Sequence, residues 1–493
     1  MKNEQLFVRN RVVRKLQFLN KSKIEKYFFI TLFLLIGSIY AQDFGFGFDD
    51  EGTSSSTGSA LNVSINGEVS ASMVGYLDDF SEGAEHIRFG DIFSGKLNFS
   101  ANTSIAEGVI NLKLQTTDSP VSIDEAYLRA YFGKFDIAAG LRKLTWGKAD
   151  SFGPLDVINP LDTSQIYTEM ADNATLMSVK IARPLVHASF RFGQFSKIEG
   201  VFVPNFEPYY IASEGRWVPA QMKMMEDTTI TMPLPIPMPP LQIPVKINPT
   251  EKPDTSTLDY AQGGLRFTTT IGPVDFGAQY YYGRLPQPSV KVSINRKFEP
   301  PSSAPIPSSV DVDTLYIYNP YHQIGLDYAQ VLFGFNVRAE LAANITEDLK
   351  GNDGSVYNPS VAWSFGFDRD VVLGINLNLQ VNESIRLMHD KLGSGDMMSV
   401  TTGDFDIEGG SELTATRLTA ALSKKFLRDE LELRAAVVWG IEDGDCAVMP
   451  ALIWTKDEIR IAFSGGFFAG DSEGQLGQYK DNNFLKVSLT YTF

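Results

Sequence analysis

The sequence predicts an all-β protein, a transmembrane up-and-down antiparallel β-barrel of about 18 strands, with about 16 as the alternative. Three observations lead to this fold. Apolar and polar residues alternate over runs of about ten positions, the period of a strand whose two faces meet different environments. Short and long connections between these runs alternate along the chain. No long segment has the helical period of about 3.6 residues.

The alternating runs begin after Gly58 and continue to the end of the 493-residue chain. In residues 110–115, INLKLQ, the Ile and both Leu share one face, and Asn, Lys and Gln share the other. Many runs cover about 10 to 14 residues, which suits a tilted membrane crossing better than the shorter strands of a soluble β-sandwich. The predicted strands lie near residues 61–77, 89–102, 105–116, 121–133, 135–146, 185–193, 196–204, 258–270, 273–284, 321–331, 332–345, 358–368, 371–384, 411–426, 429–441, 446–456, 458–469 and 482–493.

The connections between these runs fall into two classes. Tight ones such as GKF, GQFS, IGP and KDE alternate with long polar, acidic or Pro-rich ones. A membrane barrel sorts its connections in this way, with short periplasmic turns and long outer loops, whereas a sandwich has no reason to do so. The predicted outer loops are residues 147–184, 205–257, 285–320 and 385–410.

The N-terminal region is predicted to be an export signal with a long basic lead. Lys21, Lys23 and Lys26 precede YFFITLFLLIGSIYA, an apolar run too short for a comfortable transmembrane helix that ends in a small residue. A retained signal anchor is the alternative. We expect residues 1–41 to be the cleaved signal peptide, 42–60 a Gly/Ser/Asp-rich linker, and 61–493 the barrel.

The last ten residues, FLKVSLTYTF, alternate apolar and polar residues and end in an aromatic residue. This segment resembles the final strand of outer-membrane proteins of Gram-negative bacteria. The resemblance implies that the protein lies in the lipid of the outer membrane. It also implies that periplasmic chaperones and the barrel-assembly machinery are partners during biogenesis, with Tyr491 and Phe493 as the assembly signal.

Composition argues against several classes of function. The chain has 43 Lys and Arg against 59 Asp and Glu; without residues 1–41 it keeps 35 against 57, which argues against nucleic acid as a partner. One cysteine, Cys446, and four scattered histidines offer neither a disulfide framework nor a Cys- or His-ligated metal site. No nucleophile–base motif or phosphate-binding Gly-rich loop is present. We therefore expect no enzyme activity, no metal and no cofactor.

The register of the strands predicts a predominantly basic barrel interior, because Arg or Lys on the lipid face at mid-bilayer costs ~2–4 kcal/mol. Two interpretations stay open. The cations form a track that concentrates anions, or they pair with inward acids in a satisfied polar core. The inward acids are Glu68, Glu125, Asp136, Asp275, Glu340 and Glu432. The pore-lining candidates are Lys113, Arg129, Arg142, Arg191, Arg266, Arg338, Arg417, Arg434, Arg460 and Lys486.

An aspartate-rich stretch, LTWGKADSFGPLDVINPLDTSQIY, follows the fifth predicted strand at residues 144–167. Its carboxylates could bind calcium, but their spacing matches no EF-hand or Gly/Asp repeat and prolines interrupt it. Asp beside Pro is more typical of turns. We expect the loop 147–184 to fold into the lumen, narrow it and place its aspartates opposite the basic wall. A surface loop that closes over the mouth is the alternative.

The combination of WGKAD with DVINPLD resembles a poorly characterised family of large porin-like outer-membrane proteins of Gram-negative bacteria. In that family a strand ends in Trp-Gly, and the outer loop that follows carries an Asn-Pro-x-Asp step. The resemblance covers about residues 140–163 and implies an outer-membrane barrel that acts as a channel. The matching positions are Trp146, Gly147, Asn159, Pro160 and Asp162; Asp150 and Asp156 complete the candidate constriction loop.

The expected function is passive diffusion of small polar or anionic solutes through a channel narrowed by the Asp/Pro-rich loop. Two alternatives remain. A carrier for hydrophobic compounds, similar to fatty-acid transporters, would need an apolar N-terminal plug or a lateral opening. A surface structural or adhesive barrel would bind its partner through the Pro-rich loops 205–257 and 285–320.

Overall fold

The computed structural model describes residues 61–82, 93–116, 120–164, 166–171, 176–220, 228–232, 241–297, 308–351, 353, 355–391, 399–400 and 413–493. The predicted signal peptide and linker, and much of the predicted loop 385–410, lie outside these residues. Helical structure is confined to short segments. These are α1 (Leu77–Glu82), α2 (Ile166–Ala171) and α3 (Leu176–Val179), and the 3-10 turns Leu258–Tyr260, Val372–Gly374, His389–Lys391 and Gly477–Tyr479.

Strands make up most of the described chain. In chain order they are β1 (Asn62–Tyr76), β2 (Phe93–Asn102), β3 (Ala106–Gln115), β4 (Val121–Phe132), β5 (Phe135–Arg142), β6 (Arg183–Phe192), β7 (Ser196–Val203), β8 (Thr228–Met232), β9 (Leu241–Ile247), β10 (Gln262–Ile271), β11 (Val274–Arg284), β12 (Ser289–Lys297), β13 (Ser309–Ile317), β14 (Pro320–Leu332), β15 (Phe335–Thr346), β16 (Ser360–Asp370), β17 (Ile375–Arg386), β18 (Ser399–Val400), β19 (Thr414–Phe426), β20 (Leu431–Gly440), β21 (Asp445–Lys456), β22 (Ile459–Ala469) and β23 (Phe484–Thr492).

Eighteen of these strands form one closed antiparallel barrel. Each pairs with the next barrel strand along the chain, and β23 pairs with β1 to close the sheet, with Glu68 opposite Thr492 and Tyr76 opposite Phe484. Closure leaves the barrel without an edge strand. The predicted up-and-down barrel is confirmed, and each barrel strand falls on one of the predicted runs.

The connections separate by length between the two ends of the barrel. At one end, strands are joined by tight turns that need left-handed backbone; between β14 and β15, Phe333 and Gly334 have φ of 51° and 81°. Two successive positive φ values define the turn whose twist suits a two-residue hairpin. At the other end lie longer connections, including 143–182, 204–261 and 285–319. We call these the short-turn end and the long-loop end.

Side chains alternate across the barrel wall as the sequence predicts. On β23 the outer face carries Leu485, Val487, Leu489 and Tyr491, which are 42 to 50% exposed. Its inner face carries Lys486, whose ammonium donates to a carbonyl inside the barrel. The other barrel strands repeat this apolar-out, polar-in arrangement, so the outer surface is a continuous apolar band. No helix among the described residues is long and apolar enough to cross a membrane.

A second sheet, which we call the outer sheet, is separate from the barrel sheet and is formed by segments that were predicted to be the loops 205–257, 285–320 and 385–410. Its strand order is β18-β12-β13-β9-β8. β9 and β13 pair in parallel, and Ile243, Val245 and Val310 form a small buried cluster between them. β8 is only five residues long, and β9 contains Pro244 and pairs with the distant β13, so local periodicity did not reveal this part of the sheet. β12 and β13, nine residues each, do alternate apolar and polar residues, and that signal was present in the sequence. The assignment of these segments as plain loops was therefore incomplete.

Candidate functional site: the barrel interior and its inserted loop

The connection between β5 and β6, residues 143–182, lies inside the barrel. We call it the inserted loop. Inward-facing glutamines of three strands donate side-chain hydrogen bonds to its backbone carbonyls. These bonds run from Gln279 of β11 to Leu155 (2.9 Å), from Gln323 of β14 to Pro154 (2.9 Å) and from Gln380 of β17 to Phe152 (3.0 Å).

One side chain, Asn159, closes the base of the inserted loop. Its Oδ1 accepts the N–H of Leu144 (2.8 Å), and its Nδ2 donates to the carbonyls of Arg142 (3.0 Å) and Ile181 (2.9 Å). The side-chain amide of Asn159 thus satisfies the hydrogen-bonding groups of the backbone at the point where β5 and β6 separate. This explains why β5 ends at Arg142, four residues before the end of the predicted strand 135–146.

Trp146 consequently lies in the inserted loop rather than at the end of a strand. It is 3% exposed and packs edge-on against Tyr281 of β11, with ring centroids 6.4 Å apart. Leu144, Ile158 and Leu185 belong to the same buried cluster. The resemblance suggested a Trp-Gly pair at a strand end, whereas the structure places this Trp in the packed interior.

The carboxylate of Glu340 on β15 holds the turn that follows Trp146. Its Oε1 accepts the N–H groups of Lys148 and Ala149, the latter at 2.7 Å, and its Oε2 accepts the N–H of Leu155 at 3.3 Å. Glu340 is 4% exposed, so these backbone donors replace water around a buried charge. Gly147 is needed at this position, because its φ is 99° and a Cβ there would overlap Glu340 Oε1.

Asp150 is the aspartate of the loop that reaches the basic wall. Its carboxylate pairs with Arg338 of β15 and accepts a hydrogen bond from Asn378 of β17 at 3.0 Å. Arg338 also pairs with Asp368 of β16 at 2.7 Å. Burial raises the pKa of Asp150, and the charge of Arg338 opposes that rise. The loop is therefore joined to the wall by charge as well as by backbone contacts.

Asp156 forms its ion pair within the loop, although the charge of Arg266 on the wall also acts on it, so the expectation that the loop aspartates pair across to the wall does not hold for this residue. Its partner is Lys180 in the same loop, at 2.6 Å, and both side chains are less than a tenth exposed. Lys180 Nζ also donates to the Leu144 carbonyl (2.9 Å) and Thr145 Oγ1 (2.7 Å). Desolvation raises the pKa of Asp156 and lowers that of Lys180, each opposed by the attraction of the other. This pair fixes the shape of the loop.

Asp162 forms a turn. Its Oδ1 accepts the N–H of Ser164 at 3.0 Å and the hydroxyl of the same residue at 2.6 Å, which is the local pattern typical of Asp in turns. Pro160 adds a backbone contact, since its carbonyl accepts the N–H of Ile181 at 2.8 Å. Within the described residues, no cluster of three or more His, Cys, Asp or Glu could hold a metal ion.

Helix α2 carries the inserted loop to the opposite wall. Lys486 of β23 donates to the Thr168 carbonyl at 3.1 Å, and Arg434 of β20 donates to the Ala171 carbonyl at 3.1 Å. Tyr167 packs between Trp217 and Tyr479, with centroid distances of 5.3 and 5.4 Å. Burial raises the pKa of Tyr167 to about 12, so its hydroxyl stays neutral. The loop thus spans the barrel from β5 to β23.

The predicted inward cations fall into two groups. Five pair with carboxylates: Lys113 with Asp124 (3.1 Å), Arg129 with Asp136 (2.7 Å), Arg191 with Asp136 (3.9 Å), Arg266 with Asp327 (2.6 Å), and Arg338 with Asp150 and Asp368. Four others have recorded contacts with groups other than carboxylates: Arg142 meets His187 Nδ1 (3.1 Å), Arg417 meets the Gln475 side chain, and Arg434 and Lys486 meet the loop carbonyls. Arg460 lies on β22 opposite Thr490, on the face that carries Lys486.

Two cavities flank the inserted loop. The larger, about 460 Å³, lies at the long-loop end between the inserted loop, residues 206–219 and the adjoining ends of β17 and β19. The smaller, about 180 Å³, lies between the inserted loop and strands β3 and β4. Lys113 and Glu169 both line the smaller one, and burial raises the pKa of Glu169 against the charges of Lys113, Lys486 and Lys96. An acidic loop residue thus lies near a basic part of the wall.

Several residues of the site were not singled out from the sequence. Gln279 and Gln323 hold the loop, and Arg183 and Arg284 line the larger cavity. The available signal for the glutamines was their inward position on strands. The role of Arg183 had no local signal, because β6 was predicted to begin two residues later.

Comparison with known proteins identifies a family. Wzi, an Escherichia coli outer-membrane protein involved in group 1 capsule assembly and described as a carbohydrate-binding β-barrel, is 10% identical with a TM-score of 0.44, covering 87% of this chain and 84% of its own. A mutant Rh. blastica porin has 10% identity, a TM-score of 0.37 and coverage of 88% and 100%. Salmonella typhi OmpF in complex with daunomycin is 8% identical, with a TM-score of 0.38, and the match covers 88% of this chain and 98% of OmpF. No curated protein matches. Residues 98–402 match the family described as protein of unknown function DUF1302, and the chain belongs to that family.

Proposed function

We propose that this protein is an outer-membrane channel for the passive diffusion of small polar or anionic solutes, narrowed by the inserted loop. Its closed barrel has an apolar outer band, as lipid requires, and a polar inner wall. The short-turn end would face the periplasm and the long-loop end the outside. No chemical step and no cofactor enter the proposal.

The observation that carries the proposal is the inserted loop itself. It crosses the interior and is held there by wall residues, while other parts of the wall keep polar side chains in contact with solvent. Glu68 and Lys96, paired at 2.7 Å on β1 and β2, are 34% and 44% exposed. Asn98 of β2 donates to Asn66 of β1 at an exposed position. A narrowed passage with a wet polar wall suits small hydrophilic solutes better than hydrophobic ones.

Charge supports a preference for anions. Arg142 meets the His187 ring and Arg417 meets the Gln475 side chain, and cations held in this way keep a positive field that a low-dielectric wall focuses. Pairs such as Arg266 with Asp327 cancel each other. The proposal therefore combines both interpretations of the basic interior, with some cations paired to acids and others left to attract anions.

Single-channel recording in planar bilayers tests the function. We expect the refolded full chain to conduct KCl, with a reversal potential in a salt gradient that shows chloride preference. Removing the charge of Arg142, which meets the His187 ring, with Arg142→Gln should reduce that preference. A correctly folded protein that inserts and carries no ion current would rule out the channel.

Cell fractionation tests the proposed location. We expect the mature protein in the outer membrane, with an N-terminus that follows Ala41, after passage through periplasmic chaperones and the barrel-assembly machinery. N-terminal sequencing of the membrane form checks the cleavage site. Recovery only in the inner membrane with residues 1–41 retained would contradict both parts of this proposal.

A further inference from the structure

The larger cavity carries a charge that its own walls do not balance. Four arginines line it: Arg183, Arg284, Arg386 and Arg417. The lining carboxylates are Asp156, Glu207 and Glu383, and the first of these is already paired with Lys180. With that ion pair set aside, four lining guanidinium groups stand against two lining carboxylates, so the lining of the cavity has a net positive charge.

Three of these arginines contact neutral groups in the described part of the chain. Arg183, 2% exposed, donates to the Asn205 carbonyl and lies 5.7 Å from the Phe206 ring. Arg284 donates to the Tyr318 and Asp259 carbonyls, at 3.0 and 2.8 Å. Arg417 meets the Gln475 side chain. In each guanidinium, Nε is buried without a hydrogen-bond acceptor.

Arginines elsewhere in the barrel provide the contrast. Arg129, Arg266 and Arg338 each lie within 3 Å of a carboxylate oxygen. A buried charge without a counter-ion is unfavourable, and an anion that enters its surroundings relieves that cost. Arg183, Arg284 and Arg417 have no carboxylate within ion-pair distance among the described contacts, although Glu207 attracts Arg183 and Asp443 attracts Arg417 from farther away. This net positive lining favours an anionic occupant in the cavity.

The remaining walls are suited to an apolar body. Phe152 and Tyr167 of the inserted loop, Tyr209 and Trp217 of the segment above it, and Tyr357 beyond β15 all line the cavity. Its volume of about 460 Å³ is in the range of sites that hold small organic molecules. Guanidinium groups facing aromatic rings form a site for a molecule with a charged end and an apolar end.

We propose that this cavity is a binding site for amphipathic organic acids, molecules with one carboxylate on a ring-sized apolar body. The carboxylate would lie near Arg417 at the β17–β19 side and the apolar body against the aromatic side chains. The proposal rests on the channel function, since the cavity lies on the route from the long-loop end to the inserted loop. It names the solutes that the channel would select.

Isothermal titration calorimetry with the folded full chain in detergent tests the site, with 2-naphthoate as probe. We expect 2-naphthoate to bind at least about tenfold more tightly than 2-naphthalenemethanol, which lacks the charge, and than acetate, which lacks the apolar body. Arg417→Gln should weaken binding of 2-naphthoate by about tenfold or more. Arg369→Gln, an identical change at the short-turn end, where Arg369 lies beside the Phe335 ring, should leave it unchanged.

A second variant keeps the test decisive if Arg417→Gln does not fold. Ser384→Trp on β17 fills the cavity from another strand and should abolish binding, with circular dichroism confirming an intact barrel. The proposal is overturned if 2-naphthoate does not bind, if the alcohol or acetate binds as tightly, or if both arginine variants lose affinity equally. Conductance of KCl without 2-naphthoate is measured on the same preparations. A protein that conducts but does not bind 2-naphthoate contradicts this site alone, whereas one that does not conduct contradicts the channel.

Discussion

Replacing Glu340 with Gln tests whether one buried carboxylate seats the inserted loop. The two carboxylate oxygens accept the N–H groups of Lys148, Ala149 and Leu155. Gln keeps one carbonyl oxygen and places an NH₂ group where the second oxygen was. At least one backbone N–H of the loop then faces another donor.

The expected cost follows from these contacts. Hydrogen bonds to a charged acceptor contribute about 1.5–3 kcal/mol and neutral ones about 0.5–1.5 kcal/mol. In the variant, the retained bonds become neutral and one is lost. Part of this cost is offset because the variant no longer buries a charge. A net weakening of about 2 kcal/mol raises the population of the unseated loop roughly 30-fold, at about 1.4 kcal/mol per factor of ten.

Single-channel recording measures that population directly. The wild-type channel should show a steady conductance, and Glu340→Gln should show frequent transitions to a larger one as the loop leaves the lumen. Glu432→Gln is the matched control, an inward acid on β20 that has no hydrogen bond to the inserted loop among the described contacts. Identical conductance and noise in wild type and Glu340→Gln would refute the assigned role of Glu340, as would an equal change in the control.

Three further predictions concern stability and assembly. Asn159→Ala removes three hydrogen bonds at the loop base and should lower the free energy of unfolding by about 2–4 kcal/mol, measured by urea titration. Burial alone would raise the pKa of Asp78, but the hydrogen bond from Arg216 and its charge hold this pKa below its ordinary value of 3.8. This contact therefore stabilises the segment around Trp217 above that pH and is lost as the pH falls through the lowered pKa, which tryptophan fluorescence should report. Phe493→Ala should reduce the amount of folded protein in the outer membrane, measured by heat-modifiable migration on gels.

Each of these predictions has a control in the same chain. Asn98→Ala removes one exposed hydrogen bond and should change stability by less than about 1 kcal/mol. Arg216→Gln should abolish the fluorescence transition at low pH, and a transition that persists would contradict the assignment to Asp78. Phe426→Ala removes another aromatic residue at the short-turn end and should not affect assembly; equal loss in both variants would mean that Phe493 has no special role.

The barrel could be predicted because the two faces of each strand meet different environments, which forces apolar and polar residues to alternate. Lipid on one side and the polar interior on the other fix the register of every long strand, as in β23. The ends of strands were less predictable. β5 ends where the Asn159 side-chain amide, instead of a neighbouring strand, bonds to the backbone of Arg142, and no alternation of apolar and polar residues shows this. The outer sheet was not predicted, because β9 pairs in parallel with β13, more than sixty residues away, and a local pattern carries no record of such pairing.

The sequence predicted which charged residues face the barrel interior, but not which of them form ion pairs. Alternation places Arg266 inside the barrel, but not beside Asp327 of β14, which lies beyond the intervening strand β11. The pair forms because Gly277 of β11 has no side chain, and a Cβ at that position would overlap the carboxylate. Likewise, nothing in the stretch 144–167 distinguishes Asp150, which meets the wall, from Asp156, which meets Lys180. These outcomes depend on three-dimensional proximity.

The hydrogen bonds that hold the inserted loop have a consequence for how its sequence can vary. Glu340, Gln279, Gln323 and Gln380 all bind main-chain groups of the loop, and every residue except proline offers the same carbonyl and N–H. Side chains of residues 151, 152 and 154 can therefore be exchanged while the attachment persists, provided that Gly153 stays small and the fully buried Leu155 is kept. The wall therefore holds the backbone of the inserted loop largely independently of its side chains, so the chemistry of the barrel interior can change by substitution in the loop alone.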